Sequence, residues 1–154
     1  MNKHNNKMLL SRLKTMKAGE IMSRFAITTA KGTPLTEVAH LMSRFKISGV
    51  PVVDKNKEIC GVVTATDLFR VLNEITNNAE SENSLFNSDN IAVDVIMTKE
   101  VYSVTEETSL YNIIKLMCNK NIHTLPVISG KEIIGIIGRR DVLNASYAVM
   151  RTQS

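Results

Sequence analysis

Two kinds of apolar run alternate along the chain. Short β-prone runs, "GVPVV" (49–53) and "ICGVV" (59–63), are joined by the polar turn "DKNKE". Such bounded runs rich in β-branched residues read as strands of a hairpin. A second such pair, "LPVIS" (125–129) and "IIGIIG" (133–138), is joined around Gly130 and Lys131. Ahead of each pair the spacing turns helical. In "TPLTEVAHLMSRF", Leu35, Val38, Ala39, Met42 and Phe45 share one helix face. Thr33 is the expected N-cap, with Pro34 at the first helical position. Thr108, Leu110, Ile113, Ile114 and Met117 follow the same plan. Each helix is preceded by a β-prone stretch, "FAITT" or "EVYSV". Each hairpin is followed by a further helix, "DLFRVLNEI" or "DVLNASYAVM".

These elements form a repeat. Met22, Thr33, Ile47 and Pro51 recur 75 residues later as Met97, Thr108, Ile122 and Pro126. After the loss of one residue in the second turn, Lys57, Gly61 and Asp67 recur 74 residues later as Lys131, Gly135 and Asp141. The expected organisation is a basic arm or helix over 1–17, one unit over 18–75, a polar linker over 76–90 and a second unit over 91–150. The linker is rich in Asn, Ser and Glu and without period, and the arm contains the weakly amphipathic "MLLSRLKTMK".

Charge narrows the function classes. The chain carries +4 overall, whereas residues 1–17 alone carry +5, leaving −1 for the rest. Aromatics are only 5% with no Trp, so the arm reads as a solvated or partner-packing segment, and no nucleic-acid partner is expected. No apolar stretch is long enough to span a membrane, and no secretory leader is evident. Cys60 and Cys118 sit in apolar patterns and are expected to be free thiols in a cytoplasmic protein. His4, His40 and His123 are scattered; His40, three residues after Glu37, reads as part of a solvated face. No catalytic constellation, metal-ligand spacing or Gly-rich phosphate loop is present, so no enzyme activity, catalytic cofactor or metal is expected.

The stretch "GVVTATD" ends a strand and begins a helix. Thr64 and Asp67 form a capping-box pattern, in which the acid reaches back to the cap's own amide. The second copy, "GIIGRRD", keeps Asp141 but has Gly138 in place of the Thr. That difference favours a ligand role for the acid, since a strand-to-helix turn suits phosphate and ribose. Asp67 and Asp141 are therefore assigned to ribose, with Thr64 and Thr66 as supporting donors.

The duplicated β-α-β-β-α order, with "EIMS", "ISGVPVVD" and "GVVTATD", resembles the cystathionine-β-synthase (CBS) domain over residues 18–72 and 92–147. The resemblance implies an α/β fold of two CBS units packed with pseudo-two-fold symmetry, a Bateman module, with two clefts for adenosine-containing ligands. It implies that Asp67, Thr64 and Thr66 face Tyr102, Ile122, His123 and Thr124. It likewise sets Asp141, Arg140 and Gly138 toward Ile27, Ile47, Ser48 and Gly49, with Arg139 and Arg140 offering phosphate contacts. A stand-alone ligand sensor follows, taking AMP, ADP, ATP or S-adenosylmethionine as regulatory ligand and signalling to an unidentified protein target by conformational shift. The alternative is a non-catalytic dimeric scaffold with empty clefts. A homodimer is expected from apolar helix residues such as Met42, Leu68, Met117 and Leu143.

Overall fold

The computed structural model describes residues 3–78 and 91–151. The chain forms two compact units. One gathers residues up to Ala26 with those from Tyr102 onward; the other runs from Ile27 to Val101. The units therefore cut across the two sequence repeats. Residues 79–90 of the expected linker lie outside the described residues, while Thr76 and Asn77 belong to a helix and Asn78 caps it.

In the unit from Ile27 to Val101, β1 (Thr29–Ala30) leads to α3 (Leu35–Phe45), then β2 (Gly49–Val53), β3 (Ile59–Thr64) and α4 (Ala65–Asn77). β2 and β3 form an antiparallel hairpin, and β1 joins β2 in parallel with Thr29 beside Val52. Leu35, Val38 and Met42 of α3 pack on Val50, Val52 and Val63 of the sheet and on Val71 of α4. The other unit repeats the plan. There α6 (Leu110–Asn119), the hairpin of β4 (Thr124–Ser129) and β5 (Glu132–Gly138), and α7 (Arg139–Arg151) enclose Leu110, Ile113, Met117, Leu125, Val127 and Ile137. The counterpart of β1 shrinks to one parallel bridge between Val104 and Val127. The arm is the helix α1 (Lys3–Thr15), whose Leu13 packs on this core together with Met16 just beyond it. Among the described residues no helix is long and apolar enough to cross a membrane.

Each unit is completed by a short helix drawn from the opposite repeat: α2 (Ala18–Ile21) in one, α5 (Val93–Ile96) in the other. The joints are equivalent. Leu35 N–H donates to Ile91 C=O and Val93 N–H to Thr33 C=O, at 2.7 and 2.8 Å. Leu110 N–H donates to Met16 C=O and Ala18 N–H to Thr108 C=O, both at 2.8 Å. These bonds satisfy donors at the starts of α3, α5, α6 and α2 that the helices themselves leave open. They also correct the expected caps. Pro34 stands at the N-cap of α3 without a side-chain bond, Thr33 Oγ1 donates to Ala30 C=O, and Ser109 rather than Thr108 caps α6. Thr108 Oγ1 instead accepts from Thr105 N–H.

Beyond α2 and α5 the exchanged segment bridges the hairpin. Ser23 pairs with Ile136, and Thr98 with Val62. This close approach explains the glycines in "CGVV" and "IGII". A Cβ on Gly61 would lie 2.4 Å from Met97 Sδ and 3.2 Å from Thr98 O. On Gly135 it would lie 2.6 Å from Met22 Sδ and 3.0 Å from Ser23 O.

Gly61→Ala and Gly135→Ala are each expected to cost about 1–3 kcal/mol, the scale of overpacking. That corresponds to roughly 2–4 °C in melting temperature per kcal/mol for a chain of this size. The double variant Gly61→Ala/Met97→Ala should be more stable than the sum of its single effects, measured by denaturant titration, because one change vacates the space the other needs.

Candidate functional site

The site residues lie at the open ends of the two hairpins, where a strand hands over to a helix. In one unit Gly49 stands opposite Thr64 in the ladder, and Ala65 N–H donates to Ser48 C=O at 2.9 Å. Ile47 follows Lys46, which ends α3 in the left-handed region at φ 52°. Ile27, half-buried, lies two residues ahead of β1, toward the Gly49 end of β2. In the other unit Thr124 stands opposite Gly138, and Arg139 N–H donates to His123 C=O at 3.1 Å. Ile122 follows Asn121, at the same left-handed φ of 52°, and Tyr102 occupies the position of Ile27. Each acid's turn thus stands beside the segment that leads into the hairpin of its own unit.

The question posed by "GVVTATD" has a structural answer. Asp67 is 4% exposed and its carboxylate is fully engaged. Oδ2 accepts from Thr64 N–H at 2.8 Å and from Thr64 Oγ1 at 2.9 Å, and Thr64 Oγ1 accepts from Asp67 N–H at 3.3 Å. Oδ1 accepts from Arg70 at 3.1 Å. The capping box is therefore formed, and Arg70, one turn along α4, completes it. The sequence signal for Arg70 was its i+3 spacing from the acid. Thr66 is exposed and makes no bond to the acid.

The copy shows why its acid persists without the Thr. Asp141 Oδ2 accepts from Gly138 N–H at 2.7 Å. This is the half of the box that needs only a backbone donor, so the retained Asp141 does not by itself indicate a ligand. Arg139 also finds a structural role. Its Nε donates to Ile122 C=O at 3.0 Å, and its guanidinium reaches Met117 C=O and Asn121 Oδ1, both at 3.3 Å. The cation thus satisfies carbonyls at the C-terminal end of α6, where positive charge is favoured. These contacts offset the unfavourable position of this cation at the start of α7. Arg140 and His123 are exposed, and Lys120 Nζ sits 5.3 Å from the centroid of the half-buried Tyr102 ring.

Asp67→Ala strips Thr64 N–H of its acceptor in a site closed to water. It should cost about 1–3 kcal/mol of unfolding free energy. Asp141→Ala, at a half-buried position with one bond of this kind, should cost less. Paired denaturation curves check the order, and equal losses would contradict it.

Comparison with known proteins accounts for the repeat. The family profile described as CBS domain matches residues 18–74 and 92–148. A homoserine O-acetyltransferase of Methanosphaera stadtmanae is 34% identical over 126 residues, covering 81% of this chain and 23% of that protein. The chain thus spans under a quarter of that relative's length. Among solved structures, a CBS domain pair in complex with 5′-methylthioadenosine and S-adenosyl-L-methionine superposes at TM-score 0.72, with 20% identity over 86% of this chain and 96% of that one. CBSX2 in complex with AMP superposes at 0.71, with 24% identity over 86% and 97%. These structures share the fold, and the profile covers both repeats: the chain belongs to the CBS domain family and carries two copies of the domain.

Proposed function

We propose that the chain is a regulatory module that binds an adenosine-containing ligand, AMP, ADP, ATP or S-adenosylmethionine, and signals to a protein target by a shift between packings. The observation that carries this is the repeated turn. Each unit sets a carboxylate, Asp67 or Asp141, at a helix start beside a short segment, Ile47–Gly49 or Ile122–Thr124. A carboxylate accepts from both hydroxyls of a ribose. The helix start favours phosphate, with exposed Thr66 in one turn and Arg140 in the other as donors. Tyr102 and Ile27 supply apolar surface for the base. Relatives of the same fold were solved with AMP and with S-adenosyl-L-methionine. A ligand that binds one packing better than another shifts the population toward it, without catalysis.

The full engagement of Asp67 favours a second reading: an interaction scaffold in which the acid is a cap alone. Calorimetry separates the two. Under the sensor reading, an adenine nucleotide or S-adenosylmethionine binds, and Asp67→Ala weakens it by about 1.5–3 kcal/mol, roughly ten- to hundredfold. Thr66→Ala should weaken it less while leaving stability unchanged. Ligand affinity unaltered in Asp67→Ala, measured well below its melting temperature, would establish the cap alone.

The proposal includes a homodimer, on surfaces that keep Leu143 of the expected residues but not Met42, Leu68 or Met117. Met42 and Met117 are 7% and 3% exposed, because they face the unit cores, and Leu68 packs partly against one. The open apolar stripes are Phe69, Leu72 and Ile75 on α4 and Leu143, Tyr147 and Met150 on α7, with Phe69 71% and Leu143 67% exposed. Burying them against a second copy removes this surface from water. Phe69→Lys/Leu143→Lys should move the sedimentation coefficient from dimer to monomer; a wild-type monomer at high micromolar concentration would refute the dimer.

A further inference from the structure

The basic arm forms part of a second surface. On α1, Lys3, Lys7 and Lys14 lie within about 40° of one another on the helix wheel, on a different side from Leu13, which packs on the core. They extend over about 16 Å of helix axis. α1 packs on α6, and neither helix contains an Asp or Glu. At the junction Lys14 Nζ and Lys115 Nζ both approach the Tyr111 ring, at 5.4 and 5.7 Å from its centroid. Two other cations of the same unit have acid partners: Lys17 pairs with Glu107, and Arg24 with Glu106 at 3.1 Å. Lys3, Lys7, Lys14 and Lys115 have no carboxylate partner among the described residues. Four exposed like charges gathered without a counter-charge repel one another, and two of them are drawn to the same ring.

We propose that this α1–α6 face binds the phosphodiester backbone of a nucleic acid, independently of sequence. A line of cations about 16 Å long runs past about five phosphates of one strand, which present one charge per 3.4 Å of axis. The pair of ammonium groups at Tyr111 leaves the ring to orient the lysines, which fits backbone contact without base readout. The low aromatic content that argued against a base-reading module is consistent with such a surface. An anionic membrane is the weaker fit: the cations form a line, Leu13 and Met16 are committed to the core, and Met8 and Leu10 alone are exposed large apolar side chains of α1, at 48% and 40%.

The test is fluorescence anisotropy of a labelled 20-base-pair mixed-sequence DNA duplex with the full chain. Four phosphate contacts predict a log–log salt slope of about −3 to −4, about a hundredfold loss of affinity between 50 and 200 mM salt. Lys7→Glu/Lys14→Glu should lose at least about tenfold at 50 mM salt and flatten the slope by about two. The milder Lys7→Gln/Lys14→Gln should lose less, and covers the case in which charge reversal disturbs α1, checked by circular dichroism. Lys55→Glu/Lys99→Glu removes the same charge from exposed positions of the other unit and should bind as the wild type does. No binding at 50 mM salt overturns the proposal. So does undiminished binding by both α1 variants, an equal loss in the Lys55/Lys99 variant, or binding to phosphatidylserine vesicles without binding to the duplex.

Discussion

The reciprocal hydrogen bonding between each repeat's helix start and the other repeat's leading segment governs the rest of the structure. Four bonds at 2.7–2.8 Å, from Leu35, Val93, Leu110 and Ala18, join segments far apart in sequence. They provide acceptors for helix donors that no side-chain cap satisfies at α3, and seat the fully buried Val93 and Ala18 in the two cores. Met97 and Met22 follow directly and fill the space left by Gly61 and Gly135. Sequence positions conserved between the two copies are thus partners in this exchange. Met and Gly recur because each copy's Met meets the other copy's Gly.

Exchange also explains why one contiguous repeat is not a sensible folding unit. A domain of about 60 residues buries a smaller share of its surface than one of 150 and is correspondingly marginal. Here each core draws a helix and a bridging strand from the opposite repeat, so the two copies gain stability jointly.

Much of this was legible in the sequence. The helical spacing in "LTEVAHLMSRF" and the two apolar runs of each hairpin have local causes, and α3, β2, β3, α6, β4 and β5 form where those patterns stand. The exchange was not legible, because a backbone bond from Leu35 to Ile91 has no side-chain signature. The caps failed for the same reason: Pro34 needs no side-chain cap when another segment supplies the acceptor. At the site, the capping-box spacing of Thr64 and Asp67 was correctly visible, but its burial was not. The backbone N–H of Gly138 gives Asp141 a structural partner even where the Thr is missing, a bond with no side-chain signature. Arg139 was read from its own helix start, whereas its partners lie at the end of another helix, beyond the reach of local pattern. Asp67 and Asp141 are therefore each held in place by structural hydrogen bonds.

The exchange is tested most directly by comparing two peptides of the chain by thermal unfolding: residues 27–101, which hold a complete compact unit, and residues 18–75, which hold one contiguous repeat. The account predicts a cooperative transition for 27–101. It predicts none for 18–75, which lacks the acceptor at Ile91, the buried Val93 and the Met97 that seats on Gly61. Cooperative unfolding of 18–75 at the same or higher temperature would contradict it.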